Sequence, residues 1–337
     1  MSNIFIEKTI KINDCSLYRK FSFAQKIRKD LLRLIILFPN QKERINNCVK
    51  EFNLLTNNNF KNYEEVFGYS FKSNFNNLYS QSLTLSPKKM IGTNISKKIL
   101  NFFKNLNNEF LELYLHGSHA DNTFTNYSDI DVTIFIKKNF LTQLNRMRLD
   151  LLALNNFIRQ FDLDSHHATF LNFEDDKNYY PESFMPLDVY NQSITNVKNK
   201  IQFKTRFCDD LTLDNFFRIK TNTQTLIKNI SQINSKNLKL LISQYFITII
   251  LHYQFINNKF KDKKFIFSSI IYKNCFISDK KTFEICSEIR EKWPKKSKNN
   301  NFGISHELLS KMSLEMDYLE NSILNSKNFK QTMDLIS

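Results

Sequence analysis

The sequence predicts an α+β fold in which a small strand-containing core sits between helical regions at the two ends of the chain. Three observations carry that expectation. Apolar residues recur at helical intervals within residues 1–94, and they do so again from Asp209 onward. Between these stretches, residues 111–116 and the run ending at Ile136 read as apolar strands. Gly is scarce, four in 337 residues, yet one of them, Gly117, stands immediately after the first strand, where a turn requires it. The resulting division is an N-terminal helical region over 1–94, a core over 95–190 and a C-terminal helical domain over 205–337.

The elements follow in order. Residues 23–38 and 41–55 space their apolar side chains for helices; Pro39 ends the first, and the polar run 56–59 breaks the second. Asn94 or Ser96 is expected to cap a helix running through Phe103 into the first core strand. After Ile136 a helix over 141–159 is marked by Leu144, Met147, Leu151, Leu154 and Ile158, and Pro181 and Pro186 punctuate the exit from the core. Helices are then expected over 213–230, 237–255, 281–293 and 305–324, with basic polar linkers at 259–264 and 294–301.

The chemistry concentrates around the two core strands. Gly117 and Ser118 form a turn after one strand, and Asp129 and Asp131 flank Ile130 at the start of the other. Positions two apart on a strand share a face, so the two carboxylates are placed together while Ile130 and Val132 point into the core. Paired hard oxygen donors suit Mg²⁺, with Mn²⁺ as an alternative. A Gly-Ser turn brings backbone and hydroxyl donors close to an anion, which suits a triphosphate.

This order of Gly-Ser, polar gap and Asp-apolar-Asp-apolar, with Tyr127 and Ser128 leading into the acids, resembles the signature of the nucleotidyltransferase superfamily that includes DNA polymerase beta, above all its small bacterial-type members. The resemblance covers residues 111–136. It implies a mixed-sheet nucleotidyltransferase core, with Gly117 and Ser118 binding the nucleotide and Asp129 and Asp131 as catalytic metal ligands. It also implies a third carboxylate on a later strand, serving as metal ligand or as the base that takes the acceptor's proton. Asp162 is the first choice, Asp164 shares its face, and Asp188 is a more remote alternative. Many members carry Arg at the position of His119 and again two residues on, where this chain has Asp121, so the loop lacks the usual phosphate-binding cations. Lys263, Lys264, Lys280, Lys281 and Arg290 are cations of the helical domain that could reach phosphates instead, although charge runs are more often solvated faces. His166 and His167 are adjacent, so a regular strand would point them to opposite sides; a core histidine and a rim histidine is the simpler reading.

Composition bounds the remainder. The 42% apolar and 14% aromatic content is that of a globular chain. The formal charge of +15 fits either a polyanionic partner or the Lys- and Asn-rich bias of an AT-rich genome. Cys15, Cys48, Cys208, Cys275 and Cys286 are widely spaced and lack a Cys-x-x-Cys pair, as expected for reduced thiols in a cytoplasmic protein. No signal peptide is evident in residues 1–20, and the apolar runs 31–38 and 238–251 read as buried helices, so no membrane partner is expected.

The expected function is metal-dependent transfer of a nucleoside monophosphate from an NTP, ATP among the candidates, to a hydroxyl, with release of pyrophosphate. The acceptor stays open among a small molecule such as an aminoglycoside, an RNA 3′ end and a protein hydroxyl. The alternative is a non-catalytic module of the same fold, antitoxin-like or RNA-binding.

Overall fold

The computed structural model describes residues 17–71, 81–86, 92–106, 109–161, 169–182, 185–197, 200–207, 209–230, 234–257, 263–273, 276–294 and 305–336. The first helices are α1 (Leu17–Leu37), α2 (Lys42–Thr56) and α3 (Tyr63–Gly68), with Pro39 in the turn that separates the first two. Helix α2 stops where Asn57 turns left-handed at φ 57° and returns its N–H to the Asn53 carbonyl, a conformation that Asn tolerates better than most residues. Strand β1 (Gln81–Leu85) follows, then α4 (Asn94–Asn105). The cap of α4 is Thr93, not Asn94 or Ser96: its hydroxyl accepts from the Ser96 amide at 3.1 Å.

The core then runs through β2 (Leu111–His116), the single-turn α5 (Ser118–Asp121) and β3 (Asp131–Ile136). A 3-10 turn (Lys138–Gln143), α6 (Leu144–Arg159), β4 (Phe170–Phe173) and a second 3-10 turn (Glu174–Tyr179) come next. Strand β5 (Tyr180–Glu182), α7 (Asp188–Asn191), β6 (Ile194–Thr195) and β7 (Ile201–Phe207) complete it.

Four strands form a mixed sheet in the order β4-β3-β2-β6: β2 runs antiparallel to β3 and β6, while β3 and β4 are parallel. One face presents Leu111, Leu113, Leu115, Val132, Ile134 and Ile136, all buried in the core shared with α1, α2, α4 and α6. Full burial of each such side chain stabilises the fold by about 1.5–3 kcal/mol relative to exposure. The opposite face carries Tyr114 and Phe135 into a tyrosine-rich cluster with Tyr180, Tyr190 and Phe203, under a second sheet in the order β1-β7-β5. That sheet pairs Gln81 with Thr205 and Leu85 with Ile201. A strand therefore lies within the stretch read as helical, and its partner lies beyond Tyr190. Neither was legible because each needs the other to form a ladder.

The N-terminal helices are fastened to the core by a buried guanidinium. Arg28 on α1 meets Asp175 at 2.9 Å and Asp176 at 3.0 Å and packs over the Phe71 and Phe173 rings. Burial would raise the Asp176 pKa, but Lys29 and Arg28 more than offset it and hold the carboxyl below its usual range.

The C-terminal domain contains α8 (Asp209–Asn229), α9 (Ser235–Asn257), α10 (Lys263–Lys273), α11 (Lys280–Glu291), α12 (His306–Leu324) and α13 (Lys327–Ile336). Helix α10 begins inside the expected linker, and α13 extends the bundle past the last expected helix. By length and composition α9 is apolar enough to cross a bilayer, yet 67% of its most apolar window is buried, and that burial includes Lys239, His252 and Gln254. It is the central helix of the second large apolar core, which Tyr127 joins from the loop before β3. Cys48 and Cys286 are free thiols; Cys15, Cys208 and Cys275 lie outside the described residues.

Candidate active site

The antiparallel register sets His116, the last residue of β2, opposite Asp131, the first residue of β3. The turn after β2 therefore folds back beside the Asp131 carboxylate. Gly117 adopts φ 70° and ψ −158°, a region that only glycine occupies without strain. A Cβ added there would stand 2.7 Å from Asp131 Oδ2, so glycine is required both by its backbone and by the close approach of the carboxylate. The turn closes through bonds from the Ala120 and Asp121 amides to the Gly117 carbonyl at 3.0 and 3.3 Å.

Asp129 is not on the strand with Asp131, because β3 begins at Asp131. It ends the loop instead, and Ile130 and Val132 still bury into the core as their alternation requires. Lys239 of α9 reaches Asp129 Oδ1 at 2.5 Å, with both side chains largely buried. The same loop is held to the helical domain at further points. Tyr127 donates its hydroxyl to the Lys239 carbonyl at 2.8 Å and lies 2.7 Å from Ser243 Oγ. The Trp293 ring meets Tyr127 edge-on at 5.0 Å, and Asn126 Nδ2 donates to the Trp293 carbonyl at 3.0 Å.

His116 and His119 have different roles. His116 lines the cavity beside Asp131, its Nε2 2.9 Å from Thr133 Oγ1 and its ring 6.4 Å from that of Phe170. His119 is buried away from it, 3.3 Å from Thr93 Oγ1 and stacked on Phe124 at 4.9 Å, while its carbonyl accepts from Ser96 Oγ at 2.6 Å. Burial lowers the His119 pKa despite the nearby Asp131 and Asp129 charges. The histidine where an arginine was looked for is an anchor between the turn and α4.

Between the core and the helical domain lies a cavity of 410 Å³. Its core wall carries Gly117, Ser118, Asp131 and Ser128; the opposite wall carries Lys263, Arg290, Phe267 and Phe283. The Arg290 guanidinium stacks over Phe246 at 4.9 Å and Tyr127 at 5.0 Å. Burial pulls its pKa below the ordinary guanidinium value, although Tyr127 and Asp129 act to raise it. An arginine still stays charged at neutral pH. Its Nε is buried and has no hydrogen-bond partner among the described residues. A buried donor left in that state costs about 1–3 kcal/mol, and the same side chain lines the cavity as a cation that can attract an anion there. Of the five cations named from the sequence, Arg290 and Lys263 thus reach the cavity. Lys280 instead donates to the Ile271 carbonyl and lies 3.8 Å from Glu284.

Asp162, Asp164, His166 and His167 lie outside the described residues. Asp188 opens α7, whose next residue, Val189, lines the cavity. On β4 the positions facing the same way as Asp131 are Phe170 and Asn172, set by their pairing with Thr133 and Phe135. Among the described residues no group of three His, Cys, Asp or Glu side chains is gathered to hold a metal. Lys239 went unrecognised in the sequence. Its signal was a cation flanked by apolar residues in a mostly apolar helix, which has to find an acid when that face is buried.

Residues 97–174 match the family described as Polymerase beta, Nucleotidyltransferase. The matched segment contains the Gly117-Ser118 turn, both aspartates and β4. No curated protein and no solved structure matches the chain.

Proposed function

Because the chain carries a nucleotidyltransferase domain of the polymerase beta-like superfamily, we propose that it transfers a nucleoside monophosphate from an NTP to an acceptor hydroxyl in a metal-dependent reaction. The observation that carries this reading is the pairing of two unlike walls: Asp131 and a Gly-Ser turn on one side of the cavity and the Arg290 and Lys263 cations on the other. The donor set fits a divalent cation, since Asp129 and Asp131 offer hard oxygens and the missing Cβ of Gly117 leaves Oδ2 of Asp131 room. Mg²⁺ held by these two residues, with Asp162 as the expected third ligand, would supply charge neutralisation and Lewis acidity.

The residues of the chain divide the rest of the work. Ser118 and the turn amides bind phosphate oxygens, and Arg290 with Lys263 binds the triphosphate in the ground state and goes on to stabilise the charge that grows on the departing pyrophosphate. Phe267 and Phe283 give the base an apolar wall and exclude water. The acceptor oxygen bonds to the α-phosphorus as the bond to the bridging oxygen breaks; pyrophosphate leaves with that electron pair, and the acceptor's proton passes to a carboxylate, for which Asp162 is the first choice. ATP is the first nucleotide to test.

One observation favours the second reading, a non-catalytic antitoxin-like or RNA-binding module: the Lys239 ammonium already engages Asp129. Thermal unfolding with Mg²⁺ and each NTP separates the two. At a nucleotide concentration about a hundred times Kd, native-state binding adds about 2.7 kcal/mol. A metal-dependent rise in Tm together with label transfer from an α-labelled NTP supports transfer; a Tm indifferent to every nucleotide favours the binding module.

A further inference from the structure

A second and larger cavity, 630 Å³, opens between α1, β4 and α8. We propose that it is the acceptor site and that it takes the 3′ end of a single-stranded nucleic acid, an inference that rests on the transfer reading above and names its acceptor. Charge is the first ground. The described lining has four cations, Lys26, Lys29, Arg33 and Arg218, against two acids, Asp30 and Asp214, and a positive excess remains even with Lys29 3.7 Å from Asp176. That balance repels a polycationic sugar and attracts a phosphodiester strand. Side-chain type is the second. Phe23, Phe170 and Phe217 present rings, and Asn172, Asn215 and Asn222 present amides that can pair with base edges. Rings, amides and cations in one groove are what single strands use for stacking, edge recognition and backbone contact. The volume is that of a ligand pocket, so it admits the end of a strand and not its length.

Position is the third ground. Met185 lines both cavities. Its sulfur is fixed by the Thr133 hydroxyl at 3.7 Å and the Tyr190 hydroxyl at 3.4 Å. Phe170, in the wall of the second cavity, stacks toward His116, whose β-ladder partner is Asp131. Met185 is therefore a wall common to the larger cavity and to the smaller one that holds Asp131. A terminal 3′-hydroxyl passing Met185 would bond to the α-phosphorus, with pyrophosphate leaving and the hydroxyl proton passing to a carboxylate.

The test is fluorescence anisotropy of the full chain with a 5′-fluorescein single-stranded RNA and its DNA counterpart, in EDTA and without nucleotide, so that binding is read apart from catalysis. Arg33→Glu/Arg218→Glu should weaken binding at least about tenfold and flatten the salt dependence by about 0.7 in slope for each phosphate no longer neutralised. Lys50→Glu/Lys311→Glu makes the same charge change away from both cavities and should leave binding nearly unaltered. Wild-type affinity in the cavity variant, or an equal loss in the control pair, overturns the proposal. So does transfer of label to an aminoglycoside or a protein hydroxyl with none to the oligonucleotide. Binding that depends on the cavity, with no transfer from any NTP, would instead leave the site standing and sink the transfer reading.

Discussion

The two walls of the smaller cavity are built from chain segments of very different reach. The core wall is local: Gly117, Ser118, Ser128 and Asp131 fall within or at the end of the segment that joins β2 to β3, and the β2–β3 ladder brings the ends of that segment together, with Asp129 beside them in the same loop. The opposite wall is assembled from α9, α10 and α11, and its contacts with the first, Lys239 to Asp129 and Arg290 to Tyr127, join residues more than a hundred positions apart. The carboxylate half is thus a self-contained device, whereas the cationic half exists only while the helical domain is docked.

Losing a carboxylate should have the largest effect. Asp131→Ala is expected to reduce nucleotide transfer at least about a thousandfold, equivalent to about 4 kcal/mol of transition-state stabilisation. Far-UV circular dichroism and Tm should stay close to wild type. Substantial pyrophosphate release with the true acceptor in this variant would remove the proposed mechanism.

Asp129 should behave differently from Asp131 although both belong to the motif. Asp129→Ala strands the buried Lys239 ammonium and is expected to lower stability by about 3 kcal/mol in urea unfolding, because breaking one side of a buried pair leaves an uncompensated charge. The double variant Asp129→Ala/Lys239→Met should recover most of that loss. Additive effects in this cycle would mean that the two walls are not energetically coupled through the pair.

The helical wall also carries a pH signature of its own. Burial pushes the pKa of His252, on α9, down to about 4. Between the ordinary histidine value and that pH the unfolded chain binds a proton which the native chain does not, so stability falls as pH drops through this window and levels off below about 4. The contribution is at most about 3 kcal/mol. His252→Gln should flatten the dependence between about pH 4 and about 6.5, and an unchanged slope would show that other groups govern it.

The smallest effect is expected at the cationic side of the cleft. Arg290→Lys removes the stacked planar guanidinium and should raise KM for the nucleotide about tenfold with a smaller change in kcat. A pure kcat loss would place Arg290 on the departing pyrophosphate alone.

Local patterns made the helices and the two core strands legible, since the apolar periodicity of 144–158 and the run Leu111–His116 need no partner to be recognised. They also pointed to the Gly-Ser turn and both aspartates as candidates, which the fold keeps close because β2 and β3 are adjacent strands that pair. The second sheet was hidden, for Gln81–Leu85 has no strong pattern until Ile201–Phe207 pairs with it. The roles of the site's histidines and of the α9 lysine were hidden as well. Both histidines are buried, and only their tertiary contacts distinguish them, Thr133 and the cavity for His116, Thr93 and Phe124 for His119; only the docking of α9 shows that Lys239 meets an acid. The carboxylate half of the candidate site is written in the chain as far as covalent proximity and the β2–β3 register carry it, with Asp131 opening the strand and Asp129 in the loop before it. Which distant cations complete it is a property of the folded molecule, because that depends on which helices bury against the loop that holds Asp129.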